Sequence, residues 1–104
     1  MYQKKAYRLP REDAIRYIDD AIIPRVSRDG VDDNLRKTLI DLYDHSNERG
    51  TEVLKILYYA SRGGMGRLEL YIDRIEAHIK RAVGERTLNK FFERCHIDLG
   101  IHIK

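Results

Sequence analysis

Arg67, Arg74 and Arg81 recur at seven-residue intervals in a stretch whose apolar residues repeat with helical period. On a helix that interval returns each guanidinium to nearly the same edge, about 10 Å further along the axis. Tyr71 and His78 fall on this edge, whereas Glu69, Asp73, Glu76 and Lys80 fall on the other. Lys80 has Glu76 one turn before it, an ordinary helix pair. Arg67 and Arg74 have no acid three or four positions away in either direction. Guanidinium binds phosphate bidentately and a ring can stack on a base, so this edge suggests contact with a nucleic-acid backbone. The plainer alternative leaves the arginines solvated, or paired with acids such as Asp41, Asp44 and Glu48 on a neighbouring helix.

Two further basic segments point the same way. Lys4, Lys5 and Arg8 lie with Tyr2 and Tyr7 in an N-terminal arm, residues 1–10, that precedes the first acid. Such an arm can track a groove, although termini of this composition also form edge strands or stay mobile. Arg62 and Arg67 flank Gly63, Gly64 and Gly66 at the opening of a helix, where exposed amides attract anions. That loop follows a helix rather than a strand and has no Lys-Ser/Thr pair, so it is no nucleotide-hydrolysing loop. Helix termination is its simpler role.

Residues 84–92, with Gly84 opening the segment, Leu88, Phe91 and Phe92 inward and Arg86, Asn89 and Lys90 outward, resemble the turn and recognition helix of helix-turn-helix regulators. The resemblance implies that Arg86, Asn89 and Lys90 face a DNA groove. It covers under a fifth of the chain, with a turn about two residues short and a longer preceding helix than that motif has. An amphipathic closing helix accounts for the same residues.

Catalytic groups are scarce. Cys95 and His96 are adjacent, so on a helix they point about 100° apart and cannot act as nucleophile and base. Cys95 continues an apolar face and reads as a buried thiol. Neither Cys-x-x-Cys nor His-x-x-x-His spacing occurs, which argues against a metal site, and no cofactor motif is present. His45 closes a helix, where a histidine is favourable for dipole reasons.

These side chains need a scaffold, and the pattern supplies a mostly α one. The chain has 104 residues, one cysteine and a net charge of +3, enough for a single domain, residues 1–104, without disulfide staples. The acids concentrate in residues 31–50, and both flanking stretches are basic. No run approaches a membrane span and residues 1–10 lead into no signal-like apolar stretch, so a cytoplasmic protein is expected. About five helices are expected. The first starts after Pro10 and breaks or kinks at Pro24, and Arg25 to Gly30 makes a turn. The second is capped by Asp32 or Asp33 and buries Leu35, Leu39 and Leu42. Gly50 and Thr51 stop it and cap a third, 51–62, the most buried of the set. The fourth carries Leu68, Ile72, Ile75, Ile79 and Ala82, with Gly84 as its C-terminal cap. A short fifth follows, and then Ile97, Leu99, Ile101 and Ile103 alternate with polar residues or glycine, which predicts a strand over 97–103. Its partner is either the N-terminal segment, a second copy or another protein, which leaves homodimerisation open.

The expected function is therefore a small non-enzymatic regulator or accessory factor that binds DNA or RNA through an arginine-rich helix flank. The alternative is a phage-type or mobile-element-type inhibitor that docks on a larger nucleic-acid-processing protein.

Overall fold

Pro10 adopts an extended conformation and leads into the first helix, α1 (11–26), whose positive end is met by Glu12 and Asp13. This is a computed structural model, and it describes residues 8–27 and 32–101. The disturbance expected at Pro24 takes the form of a π turn rather than a break, and Arg25 and Val26 are still helical, so the turn does not begin at Arg25. A proline lacks the N–H that would bond four residues back, and its ring clashes with that carbonyl. Here the chain widens into one π turn, Ile18–Ile22, so that Ile23 N donates to the Ile18 carbonyl instead. Pro24 then sits in the first turn of the following α segment, Ile23–Val26, where no donor is required. The helix continues, Ile22 and Ile23 are both buried, and Arg25 is carried alongside Tyr58.

Helix α2 (Asp33–His45) opens as its sequence implies: the Asp32 carboxylate accepts from Leu35 N at 3.1 Å. Leu35, Leu39, Leu42 and Tyr43 turn inward. The helix stops earlier than Gly50, at a tight corner where Asn47 takes a left-handed conformation before a 3₁₀ turn, Asn47–Arg49. Gly50 is instead the first residue of α3 (Gly50–Ser61), and it must be a glycine because the Tyr43 ring lies where a Cβ would be, 2.6 Å from ring Cε1. Thr51 is not a cap; its hydroxyl accepts from Leu9 N at 2.9 Å and ties down the segment before α1.

Helix α3 is the axle of the domain. Val53, Leu54, Ile56, Leu57 and Ala60 are at most 1% exposed, and the helix packs against all four others. Each of the larger four contributes roughly 1.5–3 kcal/mol by leaving water. Helix α4 (Met65–Ile79) lays Leu68, Tyr71, Ile72 and Ile75 on it, and α5 (Glu85–Leu99) adds Phe92 and Cys95. Ile79, Leu88 and Phe91 are half-buried against the edge of this core, and Ile15, expected inside it, is half-buried without packing on it.

Two expectations about the last third of the chain are corrected. Helix α4 ends at Ile79, and Lys80 donates to both Asp41, at 2.7 Å, and Glu76. Ala82 is exposed in a left-handed conformation rather than on the apolar stripe, and Gly84 is the N-cap of α5, not the C-cap of α4. The expected strand is also not formed by its described part, since Ile97 and Leu99 are helical. Gly100, at φ 68°, closes α5: Ile101 N bonds to the His96 carbonyl at 2.8 Å and Gly100 N to the Ile97 carbonyl at 3.2 Å. The alternation was ambiguous because Leu99 also lies four residues after Cys95 on the helical apolar face, and Ile101 returns to the core after the cap. Ile97 is left 71% exposed. Among the described residues there is no strand; pairing by residues 1–7 or 102–104 lies outside them.

Candidate functional site

Helices α4 and α5 run antiparallel, and the flanks they turn towards each other line a groove of about 520 Å³. Arg74 and His78 come from α4; Thr87, Lys90, Phe91, Arg94, Cys95 and Asp98 come from α5. Steps of three and four place the α5 set on one side of its helix, just as they do Arg67, Arg74 and His78 on α4. Three permanent cations thus share the groove with one carboxylate. No carboxylate among the described residues lies within 4.0 Å of Arg67, Arg74, Arg81, Lys90 or Arg94. The acids Asp41, Asp44 and Glu48, considered from the sequence as counter-charges, do not supply them: Asp44 pairs with Arg11 and Asp41 with Lys80 and His45.

The groove wall is built from stacked side chains. His78 lies flat on Phe91, ring centroids 3.9 Å apart and planes within 9°. Its Nδ1 is 2.9 Å from the Arg74 carbonyl, which can only accept, so Nδ1 carries the proton and Nε2 is the other ring nitrogen. The Arg74 guanidinium sits 5.5 Å from the Tyr71 ring centroid. Burial pushes the Cys95 thiol up to about 11, against the opposing pull of Arg74, so it is a packing group at working pH.

Several residues singled out from the sequence stand elsewhere. Tyr71 is 3% exposed, so it supports Arg74 from below and offers no face to a base. Arg81 lies in the turn beyond α4, which reduces the helical row to Arg67 and Arg74. Arg67 crosses Gly63 and reaches the Asp98 carbonyl at 3.4 Å, at the mouth of the groove. Of the recognition-helix trio, Lys90 lines the groove, Arg86 is exposed without a carboxylate partner among the described residues, and the Asn89 amide oxygen accepts from Arg49. Arg8 is occupied by Tyr43 and the Asn47 carbonyl and does not project as a free arm residue. Lys4 and Lys5 lie outside the described residues. Arg62 rests 5.6 Å from the Tyr59 ring centroid.

Arg94, Phe91 and Asp98 complete the groove, and none of them was picked out from the sequence as a contact residue. The signal was present: Thr87, Lys90, Phe91, Arg94 and Asp98 keep helical spacing. Reading the chain beyond Ile97 as a strand cut that flank short.

Two other polar features adjoin the groove helices. On the far side of α5, His96 is 6% exposed with Nε2 3.2 Å from Glu52 Oε2, off the line of a hydrogen bond, and Arg49 donates to the other Glu52 oxygen at 3.2 Å. On the other flank of α4, against α2, lies a groove of about 420 Å³ that includes Asp32, Glu69, Asp73 and Glu76 and no cation. Among the described residues no group of three or more histidine, cysteine or carboxylate side chains is placed to hold a metal ion. No helix among them is long and apolar enough to cross a membrane.

Comparison with protein-family models, curated proteins and solved structures gave no significant match. The groove's own chemistry therefore carries the functional argument.

Proposed function

We propose that this chain is a small nucleic-acid-binding regulator or accessory factor, and that the α4–α5 groove holds the phosphate backbone. The observation that carries the reading is the convergence of Arg74, Lys90 and Arg94 on one groove with a single acid, Asp98, and no ion pair among the described residues. Surface cations are ordinarily scattered among acids, as five others here are paired. A phosphate diester between Arg74 and Arg94 would give them bidentate, charge-assisted partners.

The test is anisotropy of labelled random single strands and duplexes at about 50 mM salt, where phosphate contacts are strong. Binding should fall steeply with added salt, and Arg74→Ala and Arg94→Ala should each lower the slope of log K against log salt by about 0.7 for single strands and 0.9 for duplex. No binding at that salt rejects this reading. The second reading, docking on a larger nucleic-acid-processing protein, is favoured by Leu70 and Ile97. They are 45% and 71% exposed on the outward faces of the same two helices, where an apolar anchor beside basic residues suits a protein partner.

A further inference from the structure

Two kinds of support recur among the arginines; Arg49 has both, its guanidinium also lying over the Phe92 ring, and Arg8, over Tyr43, spends its N–H groups on the Tyr43 hydroxyl and the Asn47 carbonyl. Arg11, Arg16, Arg36 and Arg49 are neutralised by Asp44, Asp13, Asp19 and Glu52. Arg25, Arg62 and Arg74 have no carboxylate partner among the described residues, and each guanidinium lies over a tyrosine ring, those of Tyr58, Tyr59 and Tyr71, at 4.8, 5.6 and 5.5 Å from the centroid. A ring beneath a guanidinium fixes its position through one face and leaves most edge N–H groups unspent. It holds the charge in place without cancelling it.

These seats are joined by contacts. Arg25 also donates to the Tyr58 hydroxyl at 2.7 Å, and the Tyr58 and Tyr59 rings meet edge to face at 5.6 Å. Arg62 over Tyr59 is followed by Gly63, across which Arg67 lies, and Arg67 reaches the Asp98 carbonyl at the groove mouth. From the groove the line therefore runs round the α3–α4 connection to the end of α1.

We infer that the anion-binding surface does not end at the α4–α5 groove but continues through Arg67 and Arg62 to Arg25, forming one track for an extended nucleic-acid strand. This rests on the function proposed above and adds to it the site's length. One phosphate engages one or two neighbouring guanidiniums, whereas a continuous phosphate backbone presents a charge to each seat in turn.

The experiment compares labelled oligothymidylates of 20 and 6 nucleotides and a 20-base-pair duplex, each titrated over salt with the full chain. On the 20-mer, Arg25→Gln and Arg62→Gln should each weaken binding about fivefold at 0.1 M salt and lower the slope by about 0.7, as for any lost single-strand phosphate contact. If duplex is the true ligand, the losses appear on the duplex as about eightfold and 0.9. On the 6-mer, which has fewer phosphates to share among the seats, the losses caused by Arg25→Gln and Arg62→Gln should be smaller than on the 20-mer. Arg11→Gln, which removes a carboxylate-paired cation, should change neither value. Circular dichroism confirms that each exposed substitution leaves the fold intact. If Arg74→Gln and Arg94→Gln lower the slope while Arg25→Gln and Arg62→Gln do not, the track is wrong and the groove reading survives. If none of the four has an effect, or the parent chain does not bind, both are wrong.

Discussion

Replacing Gly100 by alanine tests where the last helix ends, and with it whether Arg94 and Asp98 belong to the groove. Gly100 sits at φ 68° and ψ 29°, and a Cβ added there meets nothing within 4 Å. The effect of alanine is therefore a backbone effect alone. An L-residue in the left-handed region costs about 1–2 kcal/mol, partly offset by about 0.4–1 kcal/mol from a less flexible unfolded chain. The expected net loss is about 1 kcal/mol, or roughly 4–8 °C in Tm for a domain of this size. Urea titration followed at 222 nm should show a lower midpoint with unchanged slope. D-alanine at the same position, introduced by peptide ligation, should instead stabilise, since it accepts positive φ and keeps the entropic gain. In an extended strand the order reverses: alanine would be preferred to glycine by about 0.5–1 kcal/mol. An alanine variant more stable than the parent would refute the left-handed closure and the helical placement of Ile97 to Leu99.

Two shorter predictions concern titrating groups. With its thiol pushed up to about 11 by burial, Cys95 should react with Ellman's reagent at pH 8 only as fast as the chain opens, and Arg74→Ala should raise that value further, because Arg74 favours the thiolate; prompt labelling of the folded chain contradicts the packing described. The Lys80 ammonium holds the Asp41 carboxyl below its ordinary value. Its contribution to stability is therefore present above the unfolded carboxylate value of about 3.9 and lost as pH falls through the lower folded one. Lys80→Met should lower the urea midpoint at pH 6 and match the parent near pH 2, and an equal deficit at both pH values would assign the effect to packing instead.

Much of this architecture was legible because it rests on local rules. Asp32 caps α2 through its own side chain, and Leu35, Leu39 and Leu42 could face only one way once that helix was set. The apolar density around Val53 to Ala60 marked the central helix, since nothing on that segment could face water at low cost. What the pattern missed depends on distant contacts. Gly50 is a glycine because the Tyr43 ring packs against it, and not because a helix stops there. The π turn that accommodates Pro24 is rewarded by burying Ile22 and Ile23 against the core, a gain that propensity does not record. The arginine row on α4 was partly visible, but its third member depended on where the helix ends. The other wall of the groove became legible only when α5 was known to run through Asp98.

Helix α4 has Glu69 and Asp73 facing one groove and Arg74 and His78 facing another. The surplus of three positive charges over the whole chain conceals that division. A body with such an electric dipole feels a torque near any polyelectrolyte, so it turns its cationic edge forward while still a Debye length, about 8 Å at physiological salt, from touching. How charges are sorted across one helix thus sets the orientation in which this chain meets a charged surface, which their sum alone does not.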